Sequence, residues 1–220
     1  MVIENRNPQK KKKPLPRAVL APLYGMHQMR AAKRTSERRP ALRHESAEDM
    51  EKSSAICRAM VECHTSQDLL QCFLQHTASI PESAQLYPRY YGTILEQAIR
   101  QASLTLQDPY LALALFEQVK NRNIYSYVSG CTVKAYNAIL AMRWQIWQDI
   151  HGMMTTVEEM NINGVGFDDE TRAIVHTAVS EVESEMVLTG DKEHDGFTWS
   201  VDERRSANIM RELVGKWIFK

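Results

Sequence analysis

Residues 132–182 read TVKAYNAILAMRWQIWQDIHGMMTTVEEMNINGVGFDDETRAIVHTAVSEV. Apolar side chains in this stretch recur every three or four positions, the period of a half-buried helix. Tyr136, Ile139, Leu140 and Trp147 form one stripe. Ile150, Met153, Met154, Val157 and Met160 form a second, and Ile174, Val175, Ala178, Val179 and Val182 a third. Polar punctuation separates them. Asp149 is placed to accept the orphan amides of a first turn. Asn163-Gly164 ends the second helix, because glycine takes the left-handed residue that follows a helix without a Cβ clash. Asp168-Asp169-Glu170 opens the third, where acids complement the positive end of the helix dipole. Loops this short make consecutive helices antiparallel neighbours. The spacing predicts helices over about 132–147, about 149–163 and from about 168 onward.

The same reading extends outward. Ser46-x-x-Asp49 and Thr65-x-x-Asp68 have the spacing of a capping box, with Asp in place of Glu. A helix is predicted from Thr65 to about Thr77, with Leu69, Leu70, Phe73 and Leu74 on one face. Pro81 and Pro88 bound a loop, and a helix from about Arg89 to Ala102 follows. Asp108-Pro109 starts another, since proline in the first turn has no intrahelical amide to lose. The connection from Ile124 to Lys134 reads as irregular. A last helix is expected from about Asp202 to Trp217. No stretch alternates with period two over a strand length. The predicted fold class is all-α, with antiparallel helical hairpins stacked as a short pentatricopeptide-like repeat array.

The 220 residues carry 27 basic and 27 acidic side chains and are 44% hydrophobic. That excludes collagen-like, heavily disordered and membrane-spanning classes. No window approaches the roughly 18 apolar residues of a transmembrane helix, so no transmembrane segment is expected. The zero net charge is a sum over opposite parts. Residues 1–44 hold 12 Lys/Arg against 2 Asp/Glu, and residues 45–220 hold 15 against 25. Two domains are therefore expected: a basic flexible arm at 1–45 and a helical-repeat domain at 46–220. In the arm, Lys10, Lys11, Lys12 and Lys13 precede Pro14 and Pro16, the pattern of a nuclear import signal or a nucleic-acid arm. Residues 17–44 are Arg-rich, acid-poor and weakly amphipathic through Val19, Leu20, Leu23 and Met26, the composition of a mitochondrial transit segment. The plainer reading is a solvated tail. Four sparse cysteines, no N-x-[ST] site and no apolar signal-peptide core point to a reducing compartment.

Two stretches resemble each other. DPYLALALFEQVKNRNI at 108–124 and DIHGMMTTVEEMNINGV at 149–165 are both capped helices running into Asn and an aliphatic residue. Both resemble the second helix of a pentatricopeptide repeat, and Ala135-Tyr136-Asn137-Ala138-Ile139-Leu140 resembles the first. From Tyr136 to Gly164 the unit is one residue longer than the usual pattern. The position of the small polar base reader holds Ala138, which has no hydrogen-bonding group, so the one-base-per-repeat code does not carry over.

The run from Tyr127 to Thr171 more narrowly resembles the C-terminal domain of the fungal mitochondrial transcription factor two family. Gly130-Cys131, Tyr136-Asn137, Arg143-Trp144, Asp149, Glu159-Met160, Asn163-Gly164-Val165 and Asp168 carry this resemblance, supported by Leu86-Tyr87-Pro88-Arg89 and Ala112–Phe116. It covers about 65–188. The resemblance implies a mitochondrial matrix protein of organelle gene expression, linking transcription to mRNA maturation, stability or translation. It implies no catalytic residue set.

The sequence has no GxxxxGK[ST], HExxH, GxSxG or GxGxxG motif. Asn163-Gly164-Val165-Gly166 follows a helix and reads as a cap, not a pyrophosphate cradle. Cys57, Cys63, His64, Cys72 and His76 are the one grouping with zinc-ligand chemistry, Cys72 and His76 sharing a helix face. No CxxC accompanies them, and ordinary half-buried cysteines are the expectation. A non-enzymatic protein without metal or cofactor is predicted.

Charge within the body is uneven. Residues 84–147 hold 6 Lys/Arg against 3 Asp/Glu, while residues 148–203 hold 2 against 14. RNA affinity rests largely on phosphate neutralisation. The candidate nucleic-acid contacts are therefore Arg89, Arg100, Arg122, Lys134 and Arg143, with the arm lysines. For Arg143 and Lys134 the competing reading is a solvated helix face or an internal ion pair. Tyr136 is expected in the core. The acidic half suits a protein partner, such as the mitochondrial RNA polymerase, a membrane-linked activator or the mitoribosome. The alternative is a helical protein-interaction scaffold without direct RNA binding, nuclear if Lys10–Lys13 is an import signal.

Overall fold

The computed structural model describes residues 47–81, 83–188 and 199–215. The arm with Lys10–Lys13, the Ser46 cap and the end of the last predicted helix beyond Gly215 lie outside the described residues. Those described are all-α, with no strand, in nine helices: α1 (Ala47–Val61), α2 (Ser66–Ala78), α3 (Tyr91–Arg100), α4 (Pro109–Arg122), α5 (Ile124–Gly130), α6 (Val133–Met142), α7 (Ile150–Ile162), α8 (Asp169–Leu188) and α9 (Val201–Val214).

The helices pair as α1 with α2, α3 with α4, α6 with α7, and α8 with α9. The first members of the pairs stack in one layer, α1 on α3, α3 on α6 and α6 on α8. The second members form the other layer, with α2 against α4 and α7 against α9. This is a helical-repeat arrangement, in which no hairpin buries its own apolar face and each is covered by the next. The shared core runs through every pair: Phe73, Leu95, Ile99, Leu115, Tyr136, Ile139, Leu140, Met153, Val157, Val179 and Met210 are all buried. Met142 and Met160 are also inside, so these methionines fill the core.

The predicted caps form. Thr65 accepts from the Asp68 amide, Asp108 from Leu111 and Asp149 from Gly152. Gly164 takes φ 71° just after α7. Ser200 and Glu203 make a reciprocal capping box on α9.

Two features were not legible in the periodicity. Both α3 and α6 end in a wider π turn, at Gln101–Thr105 and Arg143–Trp147. Each is followed by a left-handed glutamine, Gln107 at φ 54° and Gln148 at φ 51°, and then by the capping aspartate. A π turn holds one residue more than an α turn spans. The extra residue counted between Tyr136 and Gly164 falls on the second of these. The other correction is α5. The connection read as irregular contains a helix at Ile124–Gly130, capped by Asn123, whose side chain accepts from the Ser126 amide. Seven residues are too few to show a clear helical period. Close packing fixes it instead: a Cβ on Gly130 would lie 2.4 Å from a Val119 methyl, and Tyr91 Oη is 3.1 Å from Ser126 Oγ.

Candidate functional site

Three polar networks tie the hairpins together. The first runs along the layer of first helices. Asn137 on α6 is fully buried and donates to Asp168 Oδ1 at 3.0 Å and Glu170 Oε2 at 3.2 Å. Its carbonyl oxygen lies 2.7 Å from Thr171 Oγ1. Glu170 then pairs with Arg100 of α3 at 3.0 Å, and Arg100 with Glu96 at 3.1 Å. Burial by itself would raise the Asp168 pKa. Hydrogen bonds from the Thr171 amide, the Asn137 amide and the Thr171 hydroxyl outweigh it and hold the carboxyl below the usual range.

The second network joins α4, α5, α6 and α7. Tyr136 is fully buried, and its hydroxyl donates to Glu159 Oε1 at 2.8 Å, with Tyr127 Oη 2.7 Å away. Lys120 bridges Glu159 at 2.9 Å and Glu117 at 3.0 Å. Burial opposes the Lys120 charge, but the two carboxylates win and raise its pKa. The Tyr136 phenol is pushed up by burial, by Tyr127 and by Glu159, so it stays a neutral donor.

The third network is at the α6–α7 turn. Arg143 Nη1 meets Asp149 Oδ2 at 2.6 Å, and both lie over Gly152. A Cβ there would come within 2.0 Å of each, so a side chain at 152 would have to push the ends of this pair aside. Arg143 Nε is buried without a hydrogen-bond partner. Trp144, next to it, stacks on Trp199 at 5.8 Å between centroids.

The five candidate cations of the body are therefore placed differently from one another. Arg100 is held by Glu96 and Glu170, and Arg143 by Asp149. Arg122 donates to the carbonyls of Thr77 and Ile80, clamping the end of α2. Arg89 and Lys134 are exposed, just before α3 and in the first turn of α6. Those two helix starts adjoin, because a Cβ on Gly92 would lie 2.5 Å from the Thr132 methyl. Neither start has a side-chain cap, unlike α2, α4, α7 and α9. The starts of α3 and α6 therefore lie side by side, with Arg89 and Lys134 close to them in the chain. Ala138 is buried and takes no part in any surface.

The acidic half presents Asp169, 94% exposed, with Glu170, Glu181 and Asp202 also exposed. A groove of about 430 Å³ lies between α8 and α9, lined by Val175, Val179 and Val214 and edged by Arg172, Glu183 and Arg211. Cys57, Cys63 and Cys72 are half-buried free thiols, and Cys131 is buried. Burial pushes the Cys131 thiol up to about 12, so it is inert as a nucleophile near neutral pH. Among the described residues no group of three or more His, Cys, Asp or Glu is placed to hold a metal ion. No helix among them is long and apolar enough to cross a membrane.

A stack of helical hairpins joined by buried polar networks, with charge segregated along it, places the chain among the all-α helical-repeat proteins, a class whose fold alone names no function. The Mtf2 family model matches residues 33–220, and the chain belongs to that family. It is similar to mitochondrial translation factor 2 of Schizosaccharomyces pombe (strain 972 / ATCC 24843), with 27% identity over 124 residues. That match covers 56% of this chain and 39% of the relative. No solved structure matches the chain.

Proposed function

We propose that this chain is a mitochondrial gene-expression factor that acts by binding, with RNA held by its basic half and a protein partner met by its acidic half. Membership of the Mtf2 family and the likeness to a protein named as a mitochondrial translation factor support the setting. Translation, rather than transcription, is the step that name favours. The observation that carries the RNA reading is the pairing of exposed Arg89 and Lys134 at two adjoining, uncapped helix starts. Basic side chains lie beside helix starts there, the combination that suits a phosphate. The arm, with Lys10–Lys13, adds salt-dependent attraction. The base code of pentatricopeptide repeats plays no part, since Ala138 offers no polar group.

The test is RNA binding across a salt series for the full chain and for Arg89→Glu combined with Lys134→Glu. The variant is expected to bind about tenfold more weakly, with a salt slope shallower by about two. Unchanged affinity and slope in the variant would remove this surface from the reading.

A second reading, a protein-interaction scaffold without RNA contact, draws on the exposed Asp169, Glu170, Glu181 and Asp202. Crosslinking of the tagged protein in isolated mitochondria separates the two. A scaffold retains protein crosslinks after nuclease treatment and yields no RNA.

A further inference from the structure

We propose that Cys63 and Cys72 are a peroxide-reactive dithiol, which closes to a disulfide that fastens α1 to α2. Cys63 lies in the turn after α1 and Cys72 in the middle of α2, with eight residues between them. Their side chains form a directed chain of hydrogen bonds. The Cys72 thiol donates to the Cys63 sulfur, and the Cys63 thiol donates to the Ala59 carbonyl at 3.3 Å. The backbone at Cys63 is tied down from a third helix. Gln101, buried in the π turn that ends α3, donates Nε2 to the carbonyls of Val61 and Cys63 at 3.3 Å each. Two sulfurs already in contact need only a small closure to reach a bond length of about 2.0 Å. The other two thiols are placed elsewhere: Cys57 faces Ser53 and Glu96, and Cys131 is buried just after α5.

Both thiols are half-buried, so a small oxidant reaches them. Burial pushes both up, but the hydrogen bond from Cys72 opposes this at Cys63, whereas Cys63 adds to it at Cys72. Cys63 therefore ionises first and is the attacking sulfur. Its thiolate attacks one oxygen of hydrogen peroxide, and the O–O bond breaks. The departing hydroxide takes up the proton that Cys63 released, leaving a sulfenic acid and one water. The Cys72 sulfur then attacks the Cys63 sulfur. The S–O bond breaks, and the hydroxide leaves with the Cys72 proton as a second water. The sulfurs lose two electrons and the peroxide gains them, so two thiols and one peroxide become one disulfide and two waters. Helix α1 is the first of the described stack and packs chiefly on α2 and α3. A covalent link at its C-terminal end removes open states in which α1 parts from α2. The pair does not depend on the RNA reading.

The experiment treats the reduced full chain with hydrogen peroxide and blocks the remaining thiols by alkylation. Digestion without reductant then cuts at Asp68, the one acid between the two cysteines. The peptides carrying Cys63 and Cys72 are expected to stay joined, with two of the four thiols lost to alkylation. In Cys72→Ser, a sulfenic acid trapped by dimedone is expected at Cys63, and in Cys63→Ser far less at Cys72. Amide exchange in α1 is expected to slow at least about threefold on oxidation and to recover with dithiothreitol, with no such change in either variant. Cys63 and Cys72 peptides that separate after peroxide, or that join only to other chains, would overturn the proposal. A joined pair with unchanged exchange in α1 would overturn the fastening of α1 to α2.

Discussion

Asn137 and Asp168, 31 positions apart, meet at 3.0 Å between the third and fourth hairpins, and Thr171 closes the triangle at 2.7 Å from Asn137 and 2.8 Å from Asp168. Asn137 and Thr171 are both fully buried. A buried amide with every partner satisfied is worth little more than a nonpolar contact, but removing it strands the others. Asn137→Ala is expected to cost about 2–3 kcal/mol in urea unfolding, and Asn137→Asp more, because it sets a third carboxylate against Asp168 and Glu170.

The same site sets an acid limb. The folded Asp168 pKa lies below its unfolded value, which is about 3.9. Its contribution is complete above that unfolded value and is lost as pH falls through the folded one. The urea midpoint is expected to fall as pH is lowered below about 4, and to fall less steeply in Asp168→Asn. Equal steepness in the two proteins would remove Asp168 as a cause.

A Cβ at Gly152 is expected to displace the side-chain ends of Arg143 and Asp149. Gly152→Ala forces Arg143 and Asp149 apart and costs about 1–3 kcal/mol. In the Arg143→Ala background the clash with the guanidinium is gone, so the same substitution is expected to cost less. A double-mutant cycle measures the difference, and additive costs would show that the pair does not occupy that space.

Gln107 and Gln148 both sit in the left-handed region, so Gln→Gly at either position is expected to be neutral or stabilising. A β-branched replacement such as Gln148→Val is expected to lower stability by about 1–2 kcal/mol. Thermal unfolding of the two pairs of variants checks this.

Tyr136→Phe removes the hydroxyl that joins Tyr127 to Glu159 without changing the ring packed on Phe116 at 5.2 Å. The expected loss is about 1 kcal/mol. Faster amide exchange in α5 and at the end of α7 is expected to accompany it, read by mass spectrometry.

Much of the fold was legible because its signals are local. Asp149, Asn163-Gly164 and Asp168–Glu170 marked helix ends by chemistry that acts within one turn, and the stripes at 150–160 and 174–182 marked the buried faces. Helix α5 was not legible, because seven residues hold less than two turns and its fixing contacts, Tyr91 with Ser126 and Gly130 with Val119, come from other helices. The π turns were legible only as one surplus residue. The candidate cations fared unevenly for the same reason. Composition marked all five as basic, but Arg100 is engaged by Glu170, 70 positions away.

The order of charge along the chain, the longer helices and the caps at Thr65, Asp108 and Asp149 follow from the sequence by itself, since each depends on residues within a turn of one another. Which cations remain outward, which carboxylates are spent on Asn137 and Tyr136, and which apolar face of α5 meets solvent were decided by the tertiary structure. Those outcomes depend on how stacked hairpins bring together side chains tens of positions apart, and no local pattern encodes that distance.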